Sequence, residues 1–402
     1  MNKNHQIINN QYFNVFRVNI FIIFASLFIY NKTSMKSEIL KHFEDMEDPR
    51  VVGRTIHPLR NIVFITVVGA LCGLTGWEEI ADFAKYRKGF FSRYLDISMG
   101  LPCEDTLRRF FEKLKPKVFG ERFQRWASSL VGSTEDKSVS IDGKCVRAAS
   151  KMSPDNPVHI VSAWVGENAM TLAQVKVSDK SNEITAIPEL IDILELRGAL
   201  VSIDAMGCQT DIAEKIKLAK ADYVLAVKQN QPTLWDDTVR SFEVMPACGV
   251  EQTTEGGHGR VEERTYTFCD DLSCLLNAGS WKGLAMLVRV DSRVTDKKTG
   301  ETTQCTRHFI TSCRDMKRVA GGIRSHWGVE SMHWTLDVTF GEDADTKREG
   351  NSAENFNIIR KMALNVLKND GVDYGKKRVS LKRRMLKAAN DDQYLKQLIG
   401  LI

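Results

Sequence analysis

The sequence predicts an α/β protein: a mixed β-sheet flanked by helices, with a helical unit before it and a β-rich segment inserted into it. Three observations carry this. Residues 36–132 keep a helical period; from residue 137 the period changes to two and strands begin to alternate with helices; residues 246–312 return to strand-like runs before a helical period resumes near 315. At 402 residues the chain exceeds the usual size of a single core, so more than one compact unit is expected. Hydrophobic residues at 43% and charged residues at 27% exclude a disordered chain. Nine cysteines without a C-x-x-C pair argue against a disulfide framework and a structural zinc site, and for a reducing compartment. A net charge of +5 permits a nucleic-acid partner, whose footprint is then sought in local clusters.

In chain order, "VNIFIIFASLFIY" (18–30) is apolar but shorter than the ~20 residues that span a membrane. With no small-x-small cleavage pattern after it, and an ordinary soluble start at Met35, residues 1–34 read as a leader from an upstream start, outside the working fold. A membrane anchor and an extra ordered helix are the other readings of this segment. "PLRNIVFITVVGALCGL" (58–74) is too apolar for a surface helix and belongs in a bundle core. "LPCEDTLRRFFEKLKP" (101–116) predicts a helix capped by Glu104 or Asp105 and stopping near Pro116. "SVSIDGKCV", "VHIVSAWV" and "AMTLAQVKV" predict three strands. A helix follows with Pro188 near its first turn and Gly198 just past its end. The strand "ALVSID", the helix "QTDIAEKIKLAKA" and the strand "DYVLAVK" complete the order β-β-β-α-β-α-β. A meander followed by crossover units gives a mixed sheet with helices on its faces, the order of an RNase H-like core in which the first and fourth strands are neighbours. The boundaries expected are a helical domain at 35–132, the core at 133–245 and 313–372, the β-rich insertion at 246–312 and a basic helical tail at 373–402.

Asp142 and Asp204 each end an apolar strand, the first and the fourth, so adjacent strands bring their carboxylates together. In "IRSHWGVESMHWTLDV" the residues His326, Glu330, His333 and Asp337 follow i, i+4, i+7, i+11, one sector of a helix. Ile323, Trp327, Trp334 and Val338 form an apolar stripe beside them, by which the helix would pack. Singly, a strand-end Asp is more often a turn residue and a helical Glu a surface residue. Together, three carboxylates would repel and take up protons unless a cation joined them. Hard oxygen ligands suit Mg²⁺ or Mn²⁺, and two such ions roughly 3.5 to 4 Å apart serve in-line phosphoryl transfer.

The stretches "SIDGKCVR", "SNEITAIPELIDILELRG", "SIDAMGCQTDIAEKI", "ADYVLAVKQNQ", "HGRVEER", "IRSHWGVESMHWTLDVTFGED" and "NSAENFNIIRKMALNVL" closely resemble the H-repeat-associated (Rhs-linked) DDE insertion-sequence transposases of the ISAs type. The resemblance runs from about Met35 to the C-terminus, and includes "GWEEIADF" and "LPCEDTLRRF" in the helical domain. It implies a catalytic and metal-holding triad of Asp142, Asp204 and Glu330, two Mg²⁺ or Mn²⁺ ions, double-stranded DNA as partner and a homodimer on paired element ends. Relatives in the broader superfamily carry Y-x2-R-x3-E-x6-K around the glutamate. Here those places hold Ile323, His326 and Asp337, and the nearby Arg324 and His333 are candidates to replace the missing cations.

"KKRVSLKRRMLK" (376–387) has seven Lys or Arg and no acid, an electrostatic footprint for phosphate as well as a plausible solvated helix. His258, Arg260, Glu262 and Arg264 share one face of a strand by the period of two. The expected DNA-contacting set is Lys144, Lys228, Arg260, Arg264, Arg324, His326, His333, Lys382 and Arg383, with Gln229 and Asn230 beside Lys228. The expected activity is metal-dependent DNA cleavage and strand transfer in the cytoplasm, nucleoid-associated, with no stable membrane partner. The alternatives are a nuclease of the same fold that only hydrolyses, and an inactive DNA-binding remnant.

Overall fold

The computed structural model describes residues 38–51, 53, 55–146, 158–177, 182–257, 259–372, 374 and 379–400. The expected leader, His258, and the lysines that open the basic stretch lie outside these residues. The N-terminal unit comprises α1 (Glu38–Phe43), α2 (Leu59–Leu71), α3 (Trp77–Tyr86), α4 (Lys88–Phe91), α5 (Glu104–Lys113) and α6 (Pro116–Val131). In α2 even Asn61 and Thr66 are buried, as its composition requires; Thr66 Oγ1 donates to the Ile62 carbonyl and Asn61 Nδ2 to the Asp96 carbonyl. Each apolar side chain so enclosed is worth about 1.5–3 kcal/mol. Two local expectations change here. The N-cap of α5 is Cys103, with Glu104 and Asp105 in the first turn, where their negative charge meets the positive end of the helix dipole favourably. Helix α5 ends at Lys113, and Pro116 opens α6, a first-turn position that needs no N–H.

The sheet begins with β1 (Ser138–Cys145), β2 (His159–Val165) and β3 (Met170–Lys176), then α7 (Glu183–Ile193), β4 (Leu200–Ile203), α8 (Thr210–Leu218), β5 (Asp222–Val227) and α9 (Pro232–Val244). Helix α7 starts five residues before Pro188, which therefore sits in its interior and removes one helical hydrogen bond. Gly198 lies beyond the helix in the turn into β4, at φ +72°, a left-handed conformation that favours glycine. The strands β6 (Gly249–Gly257), β7 (Arg260–Cys269), β8 (Met286–Asp296) and β9 (Thr302–Thr311) follow. All nine strands form one sheet in the order β3-β2-β1-β4-β5-β9-β8-β7-β6. The inserted segment extends the core sheet edge to edge, β9 pairing antiparallel with β5.

Helices α10 (Met316–Trp334) and α11 (Ser352–Lys368) return to the core, followed by α12 (Leu381–Asn390) and α13 (Asp392–Gly400). The C-terminal segment is not a free tail. Met385, Ala388, Tyr394, Leu395 and Leu398 are buried in the same hydrophobic cluster as α2, α5, α6 and α11. The N-terminal helices and the chain's last helices therefore share one core, which meets the sheet through Trp164 of β2 and α10 through Val329 and Met332.

Candidate active site

Strands β1 and β4 run parallel and in register from Ser138↔Leu200 to Ile141↔Ile203. The next residue of each, Asp142 and Asp204, leaves this paired region at the same level. Asp142 is not the last residue of its strand, as expected, but continues the ladder against Ser162 of β2. Asp204 Oδ1 accepts from the backbone N–H groups of Met206 (3.1 Å) and Gly207 (3.3 Å), so it also shapes its own turn. Asn230 Nδ2 donates to the Ala205 carbonyl at 2.7 Å, tying the loop after β5 to the loop after β4. Between them lies an open cleft of about 610 Å³, lined by Asp204, Met206, Lys228, Gln229, Asn230 and Trp235.

Helix α10 supplies Glu330. Asp315 caps the helix by accepting from the Arg318 N–H at 3.0 Å. Its packed face is Val319, Gly322, Ile323, Val329, Met332 and His333, docked against β1 and β4. The expected tryptophan stripe is displaced: Trp334 is 61% and Val338 51% exposed. Glycines make the close approach, since a Cβ on Gly322 would lie 2.5 Å from Leu200 Cδ2 and one on Gly328 2.9 Å from Trp164 Nε1. His326 anchors the helix to the strands, Nδ1 lying 2.9 Å from Ser202 Oγ, which in turn donates to Ser140 Oγ at 3.0 Å. Glu330, exposed one turn further on, lines a cavity of about 140 Å³ together with Asp204, Lys228, Arg307, His326 and Trp327.

The charges are gathered here. Burial pushes the His326 imidazole below its usual range, against the pull of the carboxylates of Asp142, Asp204 and Glu330. All three acids therefore act on one neutral imidazole. A fourth carboxylate, Glu183 at the start of α7, is pushed up to about 6 by burial and by the charges of Asp204 and Asp142. It reaches past β1 over Gly143, where a Cβ would sit 2.1 Å from Glu183 Oε1. The sequence reading missed Glu183, although "SNEITAIP" places an acid at the N-terminus of the helix between β3 and β4. Among the described residues, no three His, Cys, Asp or Glu side chains stand close enough together to hold a metal ion between them.

Several expected DNA contacts are engaged elsewhere. Lys144, 10% exposed, pairs with Asp337 Oδ1 at 2.5 Å and with Glu342, which is wholly buried. Burial pushes Glu342 up, but Lys144 and Arg360 outweigh it and hold the carboxyl below its usual range. Asp337 leaves the expected helical sector because α10 ends at Trp334 and a π-helical turn, Thr335–Thr339, carries it round. His333 is buried, with Nδ1 3.4 Å from Asp142 Oδ2, so it braces the acid. Arg264 is 6% exposed and pairs with Glu262 and Glu255; Arg324 binds Glu255 through both Nε and Nη2, and Arg260 Nε lies 2.7 Å from Glu262 Oε1. Lys228 remains exposed at the cleft. Lys382, Arg383 and Lys387 are exposed on α12, Lys387 lying over the Tyr394 ring, while Arg384 is half-buried over Tyr374.

Comparison with known proteins meets this geometry. The Transposase DDE domain family matches residues 134–366, and the DDE_Tnp_1-associated family matches residues 40–127. The "H repeat-associated putative transposase YhhI" of Escherichia coli K12 is 35% identical over 374 residues, 90% of this chain and 98% of that protein. The "Putative transposase YncI" of Escherichia coli O157:H7 is 37% identical over 377 residues, 90% of this chain and 94% of that protein. Among solved structures, the piggyBac transposase synaptic complex with hairpin DNA has a TM-score of 0.42 and 10% identity, covering 92% of this chain and 80% of that one. The chain belongs to the DDE transposases, in their H repeat-associated group.

Proposed function

We propose that the chain is a metal-dependent DNA transposase that cleaves at the ends of its insertion sequence and transfers the freed 3′ ends to target DNA. The core strands, β3-β2-β1-β4-β5 with β1 parallel to β4, are read as RNase H-like. Asp142, Asp204 and Glu330 are the catalytic acids in this reading. The observation that carries it is geometric: the parallel pairing of β1 and β4 ends just before Asp142 and Asp204, and Asp204 and Glu330 line one cavity with His326.

The donor set fits Mg²⁺ or Mn²⁺. It consists of hard carboxylate oxygens, and the charges of Asp204 and Asp142 add to the burial that raises Glu183 beside them. Mg²⁺ binds through one or two carboxylates and keeps water and phosphate in its other places, which suits acids spread along a cleft instead of a closed cage. Such ions, when bound, activate an attacking oxygen and stabilise the leaving 3′-oxygen. The protein's own part is positional. Asp204 is held by its turn, Asp142 by the β2 ladder and His333, and Glu330 by a helix locked to Ser202. Lys228 faces the cleft, where it meets phosphate as a point charge.

A homodimer on paired DNA ends, acting at the nucleoid, completes the reading. No helix among the described residues is long and apolar enough to cross a membrane. The test is excision in vitro from DNA carrying the gene and its native flanks, with Mg²⁺. Wild type is expected to make discrete cuts at the flanks, and Asp204→Asn to bind the DNA without cutting. Cutting by Asp204→Asn at the wild-type rate would overturn the assignment.

A further inference from the structure

Trp327 lies under three guanidinium groups, those of Arg264 at 5.0 Å, Arg307 at 5.2 Å and Arg324 at 5.5 Å from the ring centroid. Their surroundings differ. Arg264 and Arg324 are neutralised by Glu255 and Glu262. Arg307, exposed on β9, takes part in none of the ion pairs among the described residues. Cross-strand register explains where it stands: Arg307 pairs with Val290, which pairs with Tyr266, two residues along β7 from Arg264 and so on the same face of the sheet. The aromatic face fixes the guanidinium plane and so lowers the entropy cost of meeting an anion.

The same Arg307 lines the small cavity with Asp204 and Glu330, on whose rim Lys228 also stands. Acids that gather cations and a rigid, uncompensated guanidinium thus share one wall. We propose that Arg307 is a phosphate-binding residue for the DNA strand that enters the catalytic cavity, held in place by Trp327. This rests on the reading of the cavity as the DNA-processing site, and it adds a contact from the inserted strands that neither the helix nor the core strands supply.

The experiment reads binding, so that it is decided independently of cleavage. Full-length protein carrying Asp204→Asn is titrated with a short duplex taken from the DNA flanking the gene, over a range of salt concentrations. Adding Arg307→Gln is expected to weaken binding about tenfold and to lower the slope of log K against log salt by about 0.9, the value for one phosphate contact. Arg307→Lys should restore the slope, because the charge is kept. Single methylphosphonates placed along the strand should weaken binding at one position in the parent protein, and that penalty should vanish in Arg307→Gln. An unchanged slope, or an identical methylphosphonate profile in both proteins, would overturn the proposal, whatever happens to thermal stability. Failure of the DNA-processing reading shows separately, as flank DNA left uncut by the wild type.

Discussion

Lys144 Nζ lies 2.5 Å from Asp337 Oδ1, joining the strand that carries Asp142 to the π-helical turn that follows Glu330. The cation of this pair comes from β1 and the acid from the turn. The same ammonium pairs with Glu342, which Arg360 and Asn357 also hold. Removing it strands an enclosed carboxylate. Lys144→Met is therefore expected to cost about 3 to 5 kcal/mol, the range for breaking a buried pair from one side. Denaturant unfolding checks the loss. A phosphate contact at Lys144 would instead lower the salt slope of DNA binding with stability intact, and that result would refute the structural role.

Glu183 offers a pH test. Its folded-state carboxyl sits at about 6 against an ordinary 4.5, so the folded protein holds this proton more tightly than the unfolded chain. The stability it contributes is fully present below pH 4.5 and is lost as pH rises through about 6. Glu183→Gln keeps the shape and removes the titration. At pH 7.5 the variant should be more stable than wild type by up to about 2 kcal/mol, and the difference should vanish below pH 4.5. Added Mg²⁺ should shrink the difference by neutralising Asp142 and Asp204. A gap of equal size at all pH values would reject the account.

What was legible in the sequence follows from range. Asp204 could be read because an apolar run ends at it, and the order of strands because each has its own period. Glu330 falls on the expected side of α10, since helical phase is local. The tryptophan stripe was misread because hydrophobicity does not reveal that Gly322 and Gly328 make the close contacts. Asp337 was misplaced because a π-turn breaks the 100° phase without a sequence mark. Lys144 looked like a DNA contact because its carboxylate is remote in sequence, Glu342 lying 198 residues away; the partner of Arg264, Glu262, stands two residues away on the same strand face and was legible. Joining the inserted strands to β5 likewise depends on a pairing between distant segments.

The glycine contact itself is testable. A glycine in a helix interior ordinarily costs stability, so replacing one on a free surface should help. At Gly322 the Leu200 side chain occupies the space. Gly322→Val is expected to destabilise by about 1 to 3 kcal/mol through overpacking. It should also push α10 off the strands and reduce cleavage more than DNA binding, since Glu330 rides on that helix. A variant with unchanged melting temperature and cleavage would show that the helix does not dock through this glycine.

Beneath the acids, Lys361 of α11 is enclosed, and its ammonium donates to Ser162 Oγ at 2.7 Å and Gln174 Oε1 at 2.8 Å. Ser162 is the cross-strand partner of Asp142, so this amine forms part of the floor of the site. Burial pushes it down from 10.5 to about 7, with Glu342 pulling the other way. Between those values the unfolded chain binds a proton that the folded protein does not, so stability is greatest above pH 10.5 and is lost as pH falls through about 7. The slope should approach 1.4 kcal/mol per pH unit, roughly one proton's worth. Lys361→Met removes that proton and leaves Ser162 Oγ and Gln174 Oε1 without their donor, a cost of about 1 to 3 kcal/mol. The net change at one pH therefore mixes two effects of opposite sign, and the pH slope separates them. Unfolding free energies measured at pH 7.5, 8.5 and 9.5 are expected to rise in wild type and stay nearly level in Lys361→Met. Parallel lines would mean that the amine keeps its charge inside the fold, held by Glu342 across the floor of the site.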